Sequence, residues 1–195
     1  MSKKLTDVNL IELNEAYQKV MYWFFSFPNM ETSLNDLAKD LEISKTTAKR
    51  IVEVMVEDDF LIKKIYGKTW RITCNIKHYL NHSTKIAFNL SMIYNAYNNG
   101  LKDTILDVVE NAHSIILFGS YRKGDDNEKS DIDIAVEVSN DEDVKIVNLG
   151  TISHFGHRKN VPVNLHIFYR NKIDTNLFSN IANGIVIDGF LEVRP

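Results

Sequence analysis

The chain of 195 residues has a single cysteine, Cys74, which excludes an internal disulfide and any zinc site built from several thiolates. Cys74 reads as a small buried filler. No apolar run is long enough to span a bilayer, and the opening Met1-Ser2-Lys3-Lys4-Leu5-Thr6-Asp7 lacks the hydrophobic stretch of a signal peptide. The expectation is a cytoplasmic protein with no membrane partner. With only three prolines, 44% hydrophobic and 25% charged residues, the composition excludes the disordered and fibrous classes. A large excess of one charge is also missing. The formal net charge is −3, so any face for nucleic acid must arise from local segregation of charge.

What is present divides the chain into segments. Between residues 11 and 25, Leu13, Ala16, Tyr17, Val20, Met21 and Phe24 recur at helical spacing, and Pro28-Asn29 ends that helix. Ser33 can cap a short helix over residues 34–41, and Ser44 a third from Lys45 towards Asp58, buried through Ala48, Ile51, Val52, Met55 and Val56. Two apolar-rich runs, residues 60–65 and 69–73, flank Tyr66-Gly67-Lys68 as a β-hairpin would. A helix follows over residues 84–98, a break at Asn99-Gly100, and a helix over residues 101–111 with Ile105, Val108 and Val109 inward.

Residues 34–50, Leu34-Asn35-Asp36-Leu37-Ala38-Lys39-Asp40-Leu41-Glu42-Ile43-Ser44-Lys45-Thr46-Thr47-Ala48-Lys49-Arg50, resemble winged helix-turn-helix regulators. Many such relatives carry glycine where Glu42 stands, and a left-handed non-glycine there costs about 1 kcal/mol. The resemblance implies a double-stranded DNA partner, met by Lys45, Thr46, Thr47, Lys49 and Arg50 on the third helix and by Lys63, Lys64, Lys68 and Arg71 on the hairpin. Charge placement agrees. The acids Glu53, Glu57, Asp58 and Asp59 fall at the far end of the third helix, and the hairpin has none between Leu61 and Thr73. A winged helix used only for protein contacts is the alternative. Dimers are common among such proteins, so a homodimer is a further expectation.

A short buried strand, Ser114-Ile115-Ile116-Leu117-Phe118, leads into Gly119-Ser120-Tyr121-Arg122-Lys123-Gly124, a polar run, and Asp131-Ile132-Asp133-Ile134-Ala135-Val136. Residues two apart on a strand point to one face about 6 to 7 Å apart, so Asp131 and Asp133 converge while Ile132, Ile134 and Val136 enter the core. Two such carboxylates can hold Mg²⁺ or Mn²⁺, and the Gly119-Ser120 turn can cradle phosphate oxygens. Either half alone is common. Gly-Ser turns abound, and alternating Asp-Ile-Asp often marks a strand with one solvated face. Gly119 and Gly124 have Walker A spacing, but Asp125-Asp126 replace its Lys and Ser/Thr.

The combination, with ten residues between Ser120 and Asp131, resembles the minimal nucleotidyltransferases of the DNA polymerase β superfamily, as does the terminal run Asn183-Gly184-Ile185-Val186-Ile187-Asp188-Gly189. The resemblance implies transfer of a nucleoside monophosphate from an NTP to a hydroxyl. Asp131 and Asp133 would be catalytic and bind metal, Gly119 and Ser120 would meet the triphosphate, and Arg122 or Lys123 would add positive charge. A protein acceptor such as a partner toxin belongs to the same analogy. Active relatives place a third carboxylate on a later strand, here residues 161–168, where Asn164 stands instead. Val163, Leu165 and Ile167 would face the core, leaving Asn164 and His166 on the other face. An amide is a poorer ligand and no carboxylate base; His166 could accept a proton but reads as an ordinary strand histidine.

The remaining histidines, His78 with His82 and His154 with His157, suit surface or capping roles better than metal sites. Asp141-Glu142-Asp143 precedes Val144, Val147 and Ile152 as the acidic start of a helix would. The expected fold class is therefore α+β in two domains: a winged helix-turn-helix over residues 1–78, a helical connector over 79–112, and an α/β nucleotidyltransferase fold with a mixed sheet over 113–195. The expected function is nucleotidyl transfer by a DNA-binding protein. The alternative is a regulator whose degenerate nucleotidyltransferase domain binds nucleotide or a protein partner.

Overall fold

In a computed structural model the protein is described over residues 14–140 and 143–193. Local signals set the first elements. Asn14 caps α1 (Glu15–Ser26) by accepting from the Ala16 N–H at 2.9 Å, so the helix begins at Glu15; Ile11 and Leu13 lie outside the described residues. Ser33, on the short strand β1 (Thr32–Ser33), caps α2 (Leu34–Asp40), and Ser44 caps α3 (Lys45–Glu57) with its Oγ accepting from the Thr47 N–H at 3.0 Å. Each cap contributes about 1 kcal/mol by satisfying an end donor. Between α2 and α3, Glu42 takes the left-handed conformation expected of it, φ 53°. β2 (Leu61–Tyr66) and β3 (Thr69–Cys74) form an antiparallel hairpin turning at Gly67, and β1 pairs with β3. These elements enclose one core built on Val20, Phe24, Phe25, Leu37, Val52, Met55, Phe60 and Ile72.

The helices that follow reach both cores of the molecule. His78 caps the turn Tyr79–His82, and α4 (Thr84–Ala96) follows, then a π turn opened at Asn99 and Gly100 (φ 117°), and α5 (Lys102–Val108). Phe88 of α4 belongs to the first core and Ile93 to the next. Ile105 and Val109 are buried, whereas Val108 is exposed, because the chain leaves the helix at Val109.

The second half is a mixed five-stranded sheet: β4 (Ala112–Phe118), β5 (Ile132–Val138), β6 (Lys145–Phe155), β7 (Arg158–Phe168) and β8 (Ile185–Gly189), in the order β6-β7-β5-β4-β8. β5 and β7 run parallel; every other pair is antiparallel. α6 (Gly119–Lys123) is the turn after β4, and α7 (Thr175–Ala182) precedes β8. One face, carrying Leu117, Ile132, Ile134, Val136, Val163, Leu165 and Ile167, packs on α4 and α5. The opposite face carries Ile116, Phe118, Ala135 and Phe168 against Ile181, Leu177 and Phe178 of α7.

The helix expected after Asp141-Glu142-Asp143 is absent. Asp141 and Glu142 lie outside the described residues, and the chain from Lys145 forms β6. Pairing along β7, with Val147 opposite Leu165 and Ile152 opposite Val161, overrides the loose helical spacing of a segment rich in β-branched side chains. The turn Gly156-His157 then docks on α1, with the His157 N–H donating to Ser26 Oγ at 3.1 Å and Phe155 edge-on to Phe88. No helix among the described residues is long and apolar enough to cross a membrane.

Candidate functional site

The parity of two strands brings the expected residues together. Asp133 shares a face with Ala135, and Asn164 and His166 share one with Phe168, so the site opens on the face opposite α4 and α5. Parallel pairing sets Asp133 beside Asn164 and Ala135 beside His166. The Asn164 amide donates to Asp131 Oδ2 at 3.2 Å, and His166 Nε2 lies 3.2 Å from Asp133 Oδ1. The His166 ring also stands edge-on to Phe118, and its Nδ1 is buried without a partner among the described residues. Asn164 Oδ1 accepts from Asn148 of β6, a residue with no local motif to mark it.

Gly119 closes the site from the β4 side. Its φ is +73°, and a Cβ there would come within 2.7 Å of Asp133 Oδ2. Both the backbone conformation and the approach to the carboxylate require glycine. Gly119 opens the single helical turn α6, whose Tyr121 side chain is buried while Ser120 and Arg122 are half-buried and Lys123 is exposed. Gly124 ends the turn in the left-handed conformation.

Residues 125–131 carry no regular structure, and side chains from elsewhere hold them. Lys85 and Asn89 of α4 meet Asp126: the Lys85 ammonium lies 3.2 Å from Asp126 Oδ2 and donates to its backbone carbonyl, while Asn89 Nδ2 donates to Asp126 Oδ1 at 2.7 Å and to the Tyr121 carbonyl at 3.0 Å. Burial pushes the Asp126 carboxyl above the usual range and the Lys85 ammonium below it, each opposed by the partner's charge. At the far end Arg158 donates to the Ser130 carbonyl at 2.9 Å and to the Tyr121 hydroxyl. None of these supports was visible as a motif, since their partners lie 28 to 41 residues away.

Asp131 and Asp133 are the carboxylates that Asn164 and His166 contact. Among the described residues no three His, Cys, Asp or Glu side chains are grouped to hold a metal ion. A cavity of about 360 Å³ lined by Met92, Asn95, Thr104, Thr151, His154 and Val163 lies on the other face of the sheet and does not contribute to the site.

The basic residues of α3 and the hairpin divide into two groups. Trp70, overlooked in the sequence because its neighbours suggested only a strand, collects one of them: the Lys63 ammonium lies 4.2 Å and that of Lys49 5.7 Å from its ring centroid. Lys45 and Lys68 line the same cleft of about 200 Å³, with Ser33 and Asn35. Lys64 and Arg71 pair across the hairpin, and Arg71 meets Glu31 at 3.6 Å. Alternation places that pair on the face away from Lys63. Thr46 and Arg50 are exposed on α3, Thr47 is half-buried in the cap, and Lys49 also meets Glu53 at 3.9 Å.

Residues 102–187 match the family model described as nucleotidyltransferase domain, a span from the start of α5 into β8. The mixed five-stranded sheet is consistent with that fold, and the match points to nucleoside monophosphate transfer with an NTP as substrate. No curated protein matches the chain.

Proposed function

We propose that the chain binds an NTP at the Gly119–Asp133 segment and transfers its nucleoside monophosphate to a hydroxyl acceptor, releasing pyrophosphate. The observation that carries this reading is the contact Gly119 enforces. A glycine turn that fits only without a Cβ is pressed against Asp133, and the Asp131 carboxylate accepts from Asn164, the register partner of Asp133. Gly119 and Ser120 then meet the triphosphate, and Arg122 and Lys123, on the last turn of α6, supply positive charge beside it. Asp131 and Asp133 would hold Mg²⁺ or Mn²⁺. The donor set fits, since two hard carboxylates suffice when phosphate oxygens complete the shell. When bound, the metal neutralises charge on the phosphates and polarises the phosphorus under attack. The test is incubation with Mg²⁺ or Mn²⁺ and each α-labelled NTP. Label should enter an acceptor and be lost in Asp131→Ala and Asp133→Ala; label retained in both variants overturns the assignment.

One observation favours a second reading, a nucleotide-binding regulator without turnover. Asn164 occupies the place of the third acid, and its neutral amide holds Asp131 while His166 engages Asp133. Under this reading the protein binds nucleotide in a titration but transfers no label in that incubation.

For the N-terminal part, spanning residues 1–78 before the connector at 79–112, we propose a winged helix that binds duplex DNA. The cleft around Trp70, where Lys45, Lys49, Lys63 and Lys68 converge, supports it. Phosphate contacts release counterions, so binding should be salt-sensitive. Binding that ignores ionic strength would contradict the proposal.

A further inference from the structure

Asp131 precedes the strand that holds Asp133. β5 begins at Ile132, whose pairing with Val163 is the first rung of the parallel ladder, so Asp133 is fixed by backbone pairing whereas Asp131 ends an irregular loop. Such a residue keeps its position only as well as the loop keeps its own. The Asn127–Ser130 turn closes on itself, with the Asn127 N–H donating to Ser130 Oγ at 3.0 Å and the Ser130 N–H to the Asn127 carbonyl at 3.0 Å. That unit is tied to the body of the protein by Arg158 at Ser130 and by Lys85 and Asn89 at Asp126. Lys85 is 1% and Asp126 3% exposed, so the second tie is a buried ion pair.

We infer that Lys85 and Asn89 are positioning residues for the nucleotide site: by holding Asp126 they fix the loop that presents Asp131, a role that rests on the nucleotide-binding reading of Gly119–Asp133. A buried ion pair is a poor source of net stability, because apolar residues of similar volume often serve as well. What it supplies is a single geometry, since Lys85 satisfies both a carboxylate oxygen and the carbonyl of the same residue. Asn89 bonds at once to Asp126 and to the Tyr121 carbonyl, and so ties the loop to the α6 turn. The α4 helix that carries both residues also places Phe88 in the N-terminal core, which makes the loop's reference frame common to both halves of the protein.

The test uses the full chain with Lys85→Met and Asp126→Leu combined, which removes both charges and leaves neither buried alone, and separately Asn89→Ala. Hydrogen exchange across residues 125–138 and the affinity for Mg²⁺·NTP are measured with the thermal midpoint. Exchange should accelerate in residues 125–131 and stay at the wild-type level in residues 133–138. Affinity should fall by about tenfold or more, the range expected when a group that orients a metal ligand is removed. Lys85→Gln with Asp126→Asn, which keeps hydrogen bonding without charge, should restore both. A merely structural role would lower the thermal midpoint and leave local exchange and affinity unchanged, overturning the inference. If the double apolar variant does not fold, Asn89→Ala decides by the same two readouts. Should the wild-type protein bind no nucleotide, the nucleotide-site reading fails, while unchanged exchange in residues 125–131 would separately refute the tie.

Discussion

Adding one methyl group at Gly119 tests the site with an internal control. In Gly119→Ala the alanine must keep φ near +73°, which costs about 1–2 kcal/mol for an L residue. Its Cβ would also stand 2.7 Å from Asp133 Oδ2 and 3.4 Å from Asp133 Cγ, so the carboxylate must rotate away from its present position. An off-rotamer side chain adds about 0.5–1.5 kcal/mol. Gly67→Ala is the control: φ is +60° and nothing lies within 4 Å, so it carries the backbone cost alone. For a chain of this size 1 kcal/mol corresponds to roughly 2–4 °C. Gly67→Ala should therefore lower the thermal midpoint by roughly 2–8 °C, and Gly119→Ala by roughly 1–6 °C more. The functional contrast should be larger. Displacing Asp133 should cost about ten- to a hundredfold in affinity for Mg²⁺·NTP, measured by fluorescent-nucleotide titration, whereas Gly67→Ala should bind as wild type. Wild-type affinity in Gly119→Ala, or equal losses in both variants, would refute the role given to that approach of backbone to carboxylate.

Three other perturbations follow from the same geometry. Asn164→Asp restores a carboxylate beside Asp131 and keeps the acceptor that Asn148 donates to, so label transfer per enzyme should rise; a rate at or below wild type argues for the regulator reading. In Lys49→Ala with Arg50→Ala, duplex DNA affinity should fall and the slope of log affinity against log salt should shrink by about 0.9 for each phosphate no longer neutralised, read by anisotropy; an unchanged slope removes those residues from the interface. Burial lowers the His157 pKa from 6.5, opposed by a hydrogen bond to the Lys19 backbone and by the Asp40 carboxylate and assisted by the Lys19 ammonium. As pH falls below 6.5 the unfolded chain takes up that proton first, so this group's contribution to stability is intact above 6.5 and declines below it. Comparing urea midpoints of wild type and His157→Gln across pH 5–8 checks this, and parallel curves would contradict it.

What could be read from the sequence was what local chemistry decides. Ser33 and Ser44 announced α2 and α3 because a cap satisfies donors two or three residues away, and Pro28-Asn29 marked the end of α1 for a similarly local reason. The alternation of Val163, Leu165 and Ile167 into the core needed only the period of a strand, whereas Asp131, one residue before β5, is placed by the loop that ends there. β6 escaped because its identity lies in its partner. The spacing of Val144, Val147 and Ile152 suits a helix well enough until β7 supplies eleven residues of edge to pair with. The approach of His166 to Asp133 escaped for a related reason: it depends on the register of β5 against β7, which no local pattern encodes. Lys85 was hidden more deeply. A lysine on an amphipathic helix is normally solvated, and its burial follows from an acid 41 residues away.

The most direct measurement is a calorimetric titration of the full chain with NTP, in Mg²⁺ and again in EDTA, alongside Asp131→Asn with Asp133→Asn. If nucleotide and metal meet at the Gly119 turn, saturable binding should appear with Mg²⁺, weaken strongly in EDTA and be lost in the double variant. Binding that persists unchanged in EDTA or in the double variant, or no binding by the wild-type protein, would contradict it.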